Sequence, residues 1–270
     1  MESYICVTCG VEYAETDASP ALCPICEDER QYVGWGGQRW TTLAELGRNH
    51  RNVIRELERG LYSIRTEPQF GIGQRALLVQ SPNGNVLWDG ISLIDDATIE
   101  AVKALGGIAS ITMSHPHMFG SMVAWSHAFG NAPITLHASL ERWVMRPDPV
   151  IMYWDSETHM VGEGLTLIRC GGHFTGSTVL HWVAGSEGRG VLLSCDTMYV
   201  ARDRQHVSYM YSYPNYIPLS GDQVDGIVAA VEPYPFDRIY SQFDGLEIRS
   251  GGKEAVRQSA ARHKRAIAAT

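Results

Sequence analysis

No stretch of the 270 residues approaches the run of roughly 20 apolar residues that spans a bilayer. The first residues, MESYICVTCG, have neither the basic start nor the apolar core of a secretory signal. A cytoplasmic protein with no membrane association is therefore expected. A surplus of basic charge is also missing: 22 Lys and Arg stand against 30 Asp and Glu, a formal net charge of −8. That balance argues against nucleic acid as a partner. Low-complexity segments and an obvious internal repeat are absent too. What is present is an ordinary globular mixture, 44% hydrophobic and 19% charged. The length suits one large domain with a proper core, or a medium domain with a small appendage.

With no export signal, disulfides are not expected for the six cysteines. Cys6, Cys9, Cys23 and Cys26 form two C-x-x-C pairs, CVTC and CPIC, thirteen residues apart. Each pair can turn tightly and aim two thiolates at one point, and two facing turns make a tetrahedral four-sulfur cage that suits zinc or iron. Gly10 and Pro24 lie beside the cysteines, where turn backbone is needed. A segment this short cannot build a core alone, so bound metal would supply its folding free energy. Residues 4–26 resemble a rubredoxin-like zinc ribbon, although Glu27 stands where rubredoxins usually have glycine. The resemblance implies structural Zn²⁺, with iron as the alternative. The following QYVGWGGQRWTTLAEL is expected to pack its Trp35 and Trp40 against the main domain. The domain boundaries read from this pattern are 1–45 for ribbon plus linker and 46–270 for the main domain. Cys170 and Cys195 stand alone in apolar surroundings and read as core residues, Cys195 as part of a strand that points it away from Asp196.

Along the main domain, strand-like runs alternate with helical ones. LYSIRTE, RALLVQS and NVLWDG read as strands, the last two joined by the turn SPNGN. DDATIEAVKALGG has an acidic start, helical apolar spacing and a glycine stop. IASITM is a buried strand that ends in His115 and His117; SMVAWSHAFG is a short helix and APITLHA another strand. In the second half, GLTLIRC and STVLHWVA flank a glycine-rich turn carrying His173, and GVLLSCDTM ends in Asp196. GDQVDGIVAAVEP and KEAVRQSAARHKRAI read as helices around the strand and loop FDRIYSQFDG. Ligands at the ends of neighbouring strands can converge at a sheet edge. Three imidazoles and a carboxylate are a set that zinc or mononuclear iron selects.

SHPHMFGS, GGHFTGS and LLSCDT, in that order, resemble the motifs of the metallo-β-lactamase superfamily over roughly residues 50–260. The resemblance implies an α/β (α+β) fold, a four-layer αββα sandwich carrying the ribbon as an appendage. It implies His115, His117, His173 and Asp196 as metal ligands. The family pattern continues its first motif with Asp-His, and those positions hold Phe119 and Gly120 here. The last family histidine falls on Phe243, with Asp244 one residue away as a possible substitute. The three losses fall mainly on the second metal of the family site, so one metal is expected in the main domain, Zn²⁺ with Fe or Mn as alternatives.

The function that follows is a metal-dependent hydrolase using a metal-activated water, with Asp196 and His117 as the catalytic residues. Without a second Lewis acid, a small activated substrate such as an ester, thioester or lactone is favoured over a phosphodiester. One competing reading is a mononuclear iron oxidoreductase, dioxygenase-like, held by His115, His173 and Asp196 and served by the ribbon. Another is a catalytically degenerate binding protein. The segment after Asp196 is rich in tyrosine. Phe119, Trp125, Tyr199, Tyr211 and Phe243 are the candidate pocket residues. A small-molecule substrate is the expected partner, and a homo-oligomer is possible.

Overall fold

The computed structural model describes residues 1–268. The chain divides into two compact units, Met1–Trp154 and Asp155–Thr270.

The first unit begins with the ribbon. Strand β1 (Glu2–Cys6) pairs antiparallel with β2 (Glu12–Thr16) and with β3 (Trp40–Thr41). One turn of helix, α1 (Pro24–Glu27), carries the second cysteine pair, with Pro24 at its first position, where a missing N–H costs nothing. A second single turn, α2 (Leu43–Leu46), is capped by the Thr42 hydroxyl, which accepts from the Glu45 amide. Trp40 packs edge-on against Tyr13, with ring centroids 4.8 Å apart. Trp35 does not pack as the sequence suggested: it stands fully exposed in the glycine loop between Gly34 and Gly37.

Seven strands follow: β4 (Arg51–Glu58), β5 (Leu61–Glu67), β6 (Arg75–Val79), β7 (Val86–Trp88), β8 (Ser110–Thr112), β9 (Ile134–His137) and β10 (Ile151–Trp154). They lie in the order β10-β9-β8-β7-β6-β5-β4. Strands β4 to β7 are an antiparallel meander, and β7 to β10 run parallel. The change comes from the connections. A short turn joins β6 to β7, whereas α3 (Asp96–Ala104) and α4 (Met122–Ala128) return the chain so that the next strand starts at the same end. Strands β6 and β7 are buried at every residue, which is why they read as unbroken apolar runs. The parallel register, Trp88 opposite Thr112, brings the residues after β7 beside those after β8.

The second unit holds a six-stranded sheet. Its members are β11 (Thr158–Gly162), β12 (Leu165–Arg169), β13 (Thr178–Trp182), β14 (Val191–Leu193) and, further along the chain, Arg238–Tyr240 and Glu247–Ile248. Between β13 and β14 lies the irregular turn α5 (Gly185–Gly188), with Ser186 and Glu187 at positive φ. Two small hairpins follow β14: β15 (Tyr199–Val200) with β16 (Val207–Ser208), and β17 (Met210–Ser212) with β18 (Ile217–Pro218). Helix α6 (Gly221–Val231) opens with a capping box made by Ser220 and Gln223. It leads to the two last strands, β19 (Arg238–Tyr240) and β20 (Glu247–Ile248), and then to α7 (Gly252–Ala268). Val224, Ile227 and Val231 of α6 and Val256 and Ala260 of α7 share one core with Ile168, Val179, Leu192 and Ile239 of the sheet. Among the described residues, no helix is long and apolar enough to cross a membrane.

Candidate metal centres

The four ribbon cysteines meet as the spacing implies. Cys6 and Cys9 flank the turn after β1, closed by the Gly10 amide donating to the Cys6 carbonyl at 2.8 Å; Cys23 and Cys26 flank the start of α1. Cys6 Sγ lies 3.6 Å from Cys26 Sγ, and Cys9 Sγ 3.7 Å from Cys23 Sγ. Each cysteine offers a sulfur, all are buried, and the four sulfurs lie within 4.8 Å of one another. Hydrogen bonds with Cys23, Cys26 and Cys9 hold the Cys6 thiol far below its ordinary range, while those with Cys23, Cys26 and Cys6 push Cys9 well above it. A dry group of four sulfurs cannot all ionise without a compensating cation, and this donor set fits one tetrahedral metal. Gln38 Nε2 donates to Cys6 Sγ at 3.2 Å, a contact that steadies a thiolate.

In the first unit, the parallel pairing of β7 and β8 sets up the histidine loop. Asp89 follows β7 with φ +61°, a left-handed conformation that Asp tolerates better than most residues. Its amide donates to the Thr112 carbonyl at 2.9 Å. Its buried carboxylate accepts from the Ser114 amide at 2.6 Å and from the Ser114 hydroxyl at 3.0 Å. Ser114 Oγ lies 2.9 Å from His115 Nδ1. A hydroxyl has one proton, and here it goes to the carboxylate, so Oγ accepts from Nδ1–H. His115 thereby keeps the lone pair of Nε2 as its ligand atom. His117 sits edge-on to it, ring centroids 5.1 Å apart, in a short 3₁₀ turn Pro116–Met118.

In the second unit, β13 runs antiparallel to β14, so the turn before β13 and the residues after β14 share one end of the sheet. That turn carries His173. Gly172 has φ +77°, and a Cβ there would meet Ile227 Cδ1 at 2.8 Å and Leu219 Cδ1 at 2.9 Å. His173 Nδ1 lies 3.2 Å from the Met210 carbonyl, which can only accept, so Nδ1 carries the proton and Nε2 is the ligand atom. His173 Nε2 is 4.0 Å from Asp196 Oδ2. Strand β14 ends at Leu193, so Cys195 belongs to a 3₁₀ turn rather than a strand. Its φ of +46° turns the backbone just before Asp196, and its side chain is buried as expected of a core residue. The Tyr213 hydroxyl points at the Asp196 and Ser208 carbonyls, 3.0 Å from each. Burial, reinforced by the Asp196 charge, holds the Tyr213 phenol well above its ordinary range, so it stays a proton donor.

His115, His117, His173 and Asp196 each offer one ligand atom within 4.8 Å of the others, and all four residues are buried. Three imidazole nitrogens and a carboxylate are a fitting donor set for one borderline cation. Asp244 is not among these four residues. Phe119 and Trp125 are wholly buried; Tyr199, Tyr211 and Phe243 are half-buried. Tyr199 lies 5.3 Å from Phe243 and 4.8 Å from Tyr213, between ring centroids. Sequence reasoning passed over Asp89 and Ser114, and counted Tyr213 only as one tyrosine of the segment after Asp196. Asp89-Gly90 at the end of an apolar run was visible, but its partnership with Ser114 exists only through the parallel register.

The fold and these two groups define the chain as a protein of the metallo-β-lactamase fold with an amino-terminal four-cysteine ribbon. The metallo-β-lactamase FIM-1 from Pseudomonas aeruginosa, in its mono-zinc form, superposes with a TM-score of 0.59 at 16% identity, over 80% of this chain and 96% of that one. A metallo-β-lactamase from Cronobacter sakazakii gives a TM-score of 0.53 at 15% identity, over 83% and 96% of the two chains. No protein-family model matches the sequence. Along its whole length the chain is 47% identical over 269 residues to YmaE of Bacillus subtilis (strain 168), spanning 99% of this chain and 97% of that one. The chain belongs to the family of YmaE.

Proposed function

We propose that the chain is a metal-dependent hydrolase with a single-metal main site and a structural metal in the ribbon. The observation that carries this reading is the buried His115–His117–His173–Asp196 group, with Phe119 and Gly120, further along the His115–His117 loop, offering no ligand side chain. A metal held there supplies Lewis acidity and a water acidic enough to act as nucleophile near neutral pH. The protein's own part is to fix the ligands and the proton acceptor. Asp89 through Ser114, and the Met210 carbonyl, set which imidazole nitrogens face inward. Asp196, its backbone held by Tyr213, would accept a hydrogen bond from the attacking water and take its proton, with His117 beside it among the residues that would hold the metal. Tyr199, Tyr211 and Phe243 would give an apolar wall for an acyl or aromatic group, and the buried Phe119 and Trp125 would shape the histidine loop of the first unit.

The substrate class proposed is a small ester, thioester or lactone, whose leaving groups need no second metal. The test is hydrolysis of a panel of such compounds, with phosphodiesters for contrast, by zinc-loaded full-length protein and by His173→Ala. The reading expects turnover of at least one carbonyl substrate that disappears in the variant. Turnover of none, or equal turnover by both proteins, contradicts it. Iron in the main group with oxygen consumption would favour the oxidoreductase reading instead.

A further inference from the structure

The ribbon is built into the loop that carries His115 and His117. The Glu12 amide, at the start of β2, donates to the Gly120 carbonyl at 3.0 Å. The Glu12 carboxylate is buried and accepts from Arg146 Nη1 at 2.6 Å. The Ser92 hydroxyl donates to the Gly10 carbonyl at 2.6 Å, and the Ala14 amide to the Met145 carbonyl at 3.1 Å. From its other side the same loop is tied to the corner after β7: the Gly90 amide donates to the Met118 carbonyl at 2.8 Å, and the Ser121 amide to the Ile91 carbonyl at 3.2 Å. Residues 118–121 are therefore clasped between that corner and the ribbon. The crevice left among Glu12, Phe119, Gly120 and Arg146 is only about 10 Å³, barely the room of one water.

The clasped positions include Phe119 and Gly120, which follow His117 after the single residue Met118. Glu12 pairs with Ile5 across the hairpin, and Ile5 adjoins Cys6. A four-cysteine segment of this size keeps that hairpin only while its metal is bound. We propose that the metal-bound ribbon positions the His115–Gly120 loop, with Glu12 as the positioning residue, so that ribbon occupancy and main-group metal affinity are coupled. Coupling of this kind is reciprocal: whatever steadies one group steadies the other. The inference rests on the main group being a metal site, and the test separates the two claims.

Zinc is titrated into full-length wild type, Glu12→Ala and Glu12→Gln against a competing chelator, and hydrogen exchange is followed in the peptide covering 114–121. Glu12→Ala should keep its ribbon zinc, exchange faster at 114–121, and bind main-group zinc about tenfold or more weakly, the usual size of an outer-shell loss. Glu12→Gln, which still offers an oxygen to Arg146, should recover most of the loss. Arg146→Ala, which leaves the ribbon hairpin untouched, should repeat the Glu12→Ala pattern and serves if that variant does not fold. Unchanged exchange and unchanged affinity in Glu12→Ala and Arg146→Ala overturn the proposal. A wild type that takes up no zinc at the main group overturns the metal reading. The exchange rate then decides the clasp alone: faster in Glu12→Ala supports it, unchanged contradicts it.

Discussion

Asp89 decides, through Ser114, which nitrogen His115 presents. It takes the Ser114 proton, Ser114 takes the proton of Nδ1, and Nε2 is left as a lone pair. Removing the carboxylate frees the Ser114 hydroxyl to donate to Nδ1 and so permits the wrong tautomer. Asp89→Ala is expected to weaken main-group metal binding by about 10- to 100-fold with the ribbon metal retained, as read by competitive titration. Gly120 makes the opposite point. Its φ is +51°, and a Cβ would lie 2.7 Å from the Ile91 carbonyl oxygen. The position offers no ligand side chain, and the Ile91 backbone occupies the place one would need. Gly120→His should therefore lower the thermal midpoint and leave the metal content unchanged; a gain of one metal ion per chain would contradict this. The sequence marked Phe119 and Gly120 as departures from the family motif, but it carried no sign of what fills the space, because Gly10, Glu12 and Ala14 reach that region only through long-range packing.

At the scale of elements, strand direction does most of the positioning. Parallel β7 and β8 place Asp89 beside Ser114, and antiparallel β13 and β14 place the His173 turn at the Asp196 end of its sheet. The central strands and the three long helices were legible because their apolar spacing matches their burial. Strand β4 was not: RNVIRELE is an edge strand, charged on alternate stretches and buried nowhere along its length. Strands β10 and β11 are also edge strands, partly exposed at Met152, Tyr153 and Met160, and their sequences give little alternation to read. The His173 turn depends on Gly172. Gly172→Ala meets both a positive φ and the Ile227 and Leu219 side chains, and should cost about 1–2 kcal/mol or more in denaturant unfolding.

Strand β13 carries a pH dependence as well. His181 is buried, and burial lowers its pKa below the ordinary 6.5; its Nε2 donates to the Pro235 carbonyl at 2.7 Å. The unfolded chain then binds the proton more readily than the folded one. Stability from this group is complete above about pH 6.5 and is lost as pH falls from there through the folded pKa. Thermal midpoints between pH 7.5 and 5 should fall, and His181→Gln should flatten part of that slope. An unchanged slope would remove His181 as its source.

At the scale of the whole molecule, the described residues include two groups of different chemistry that could hold a metal: four buried sulfurs in the ribbon, and three buried imidazoles with a carboxylate. The four cysteines were legible from their C-x-x-C spacing, and the three histidines with Asp196 from their places after apolar strands together with the family resemblance. The identity of the metals was not, because four thiolates accept zinc or iron, and three histidines with an aspartate accept zinc, iron or manganese. Nor was the union of ribbon and loop, which makes the appendage part of the first unit's histidine loop rather than a tethered module. The central claim is two metal sites per chain, of which the main one depends on His173. Element-resolved metal analysis of purified full-length protein beside His173→Ala tests it most directly. About two metal ions per chain in the wild type, and about one in the variant with the four-cysteine group still filled, is the expected result. Equal metal content in the two proteins would contradict it.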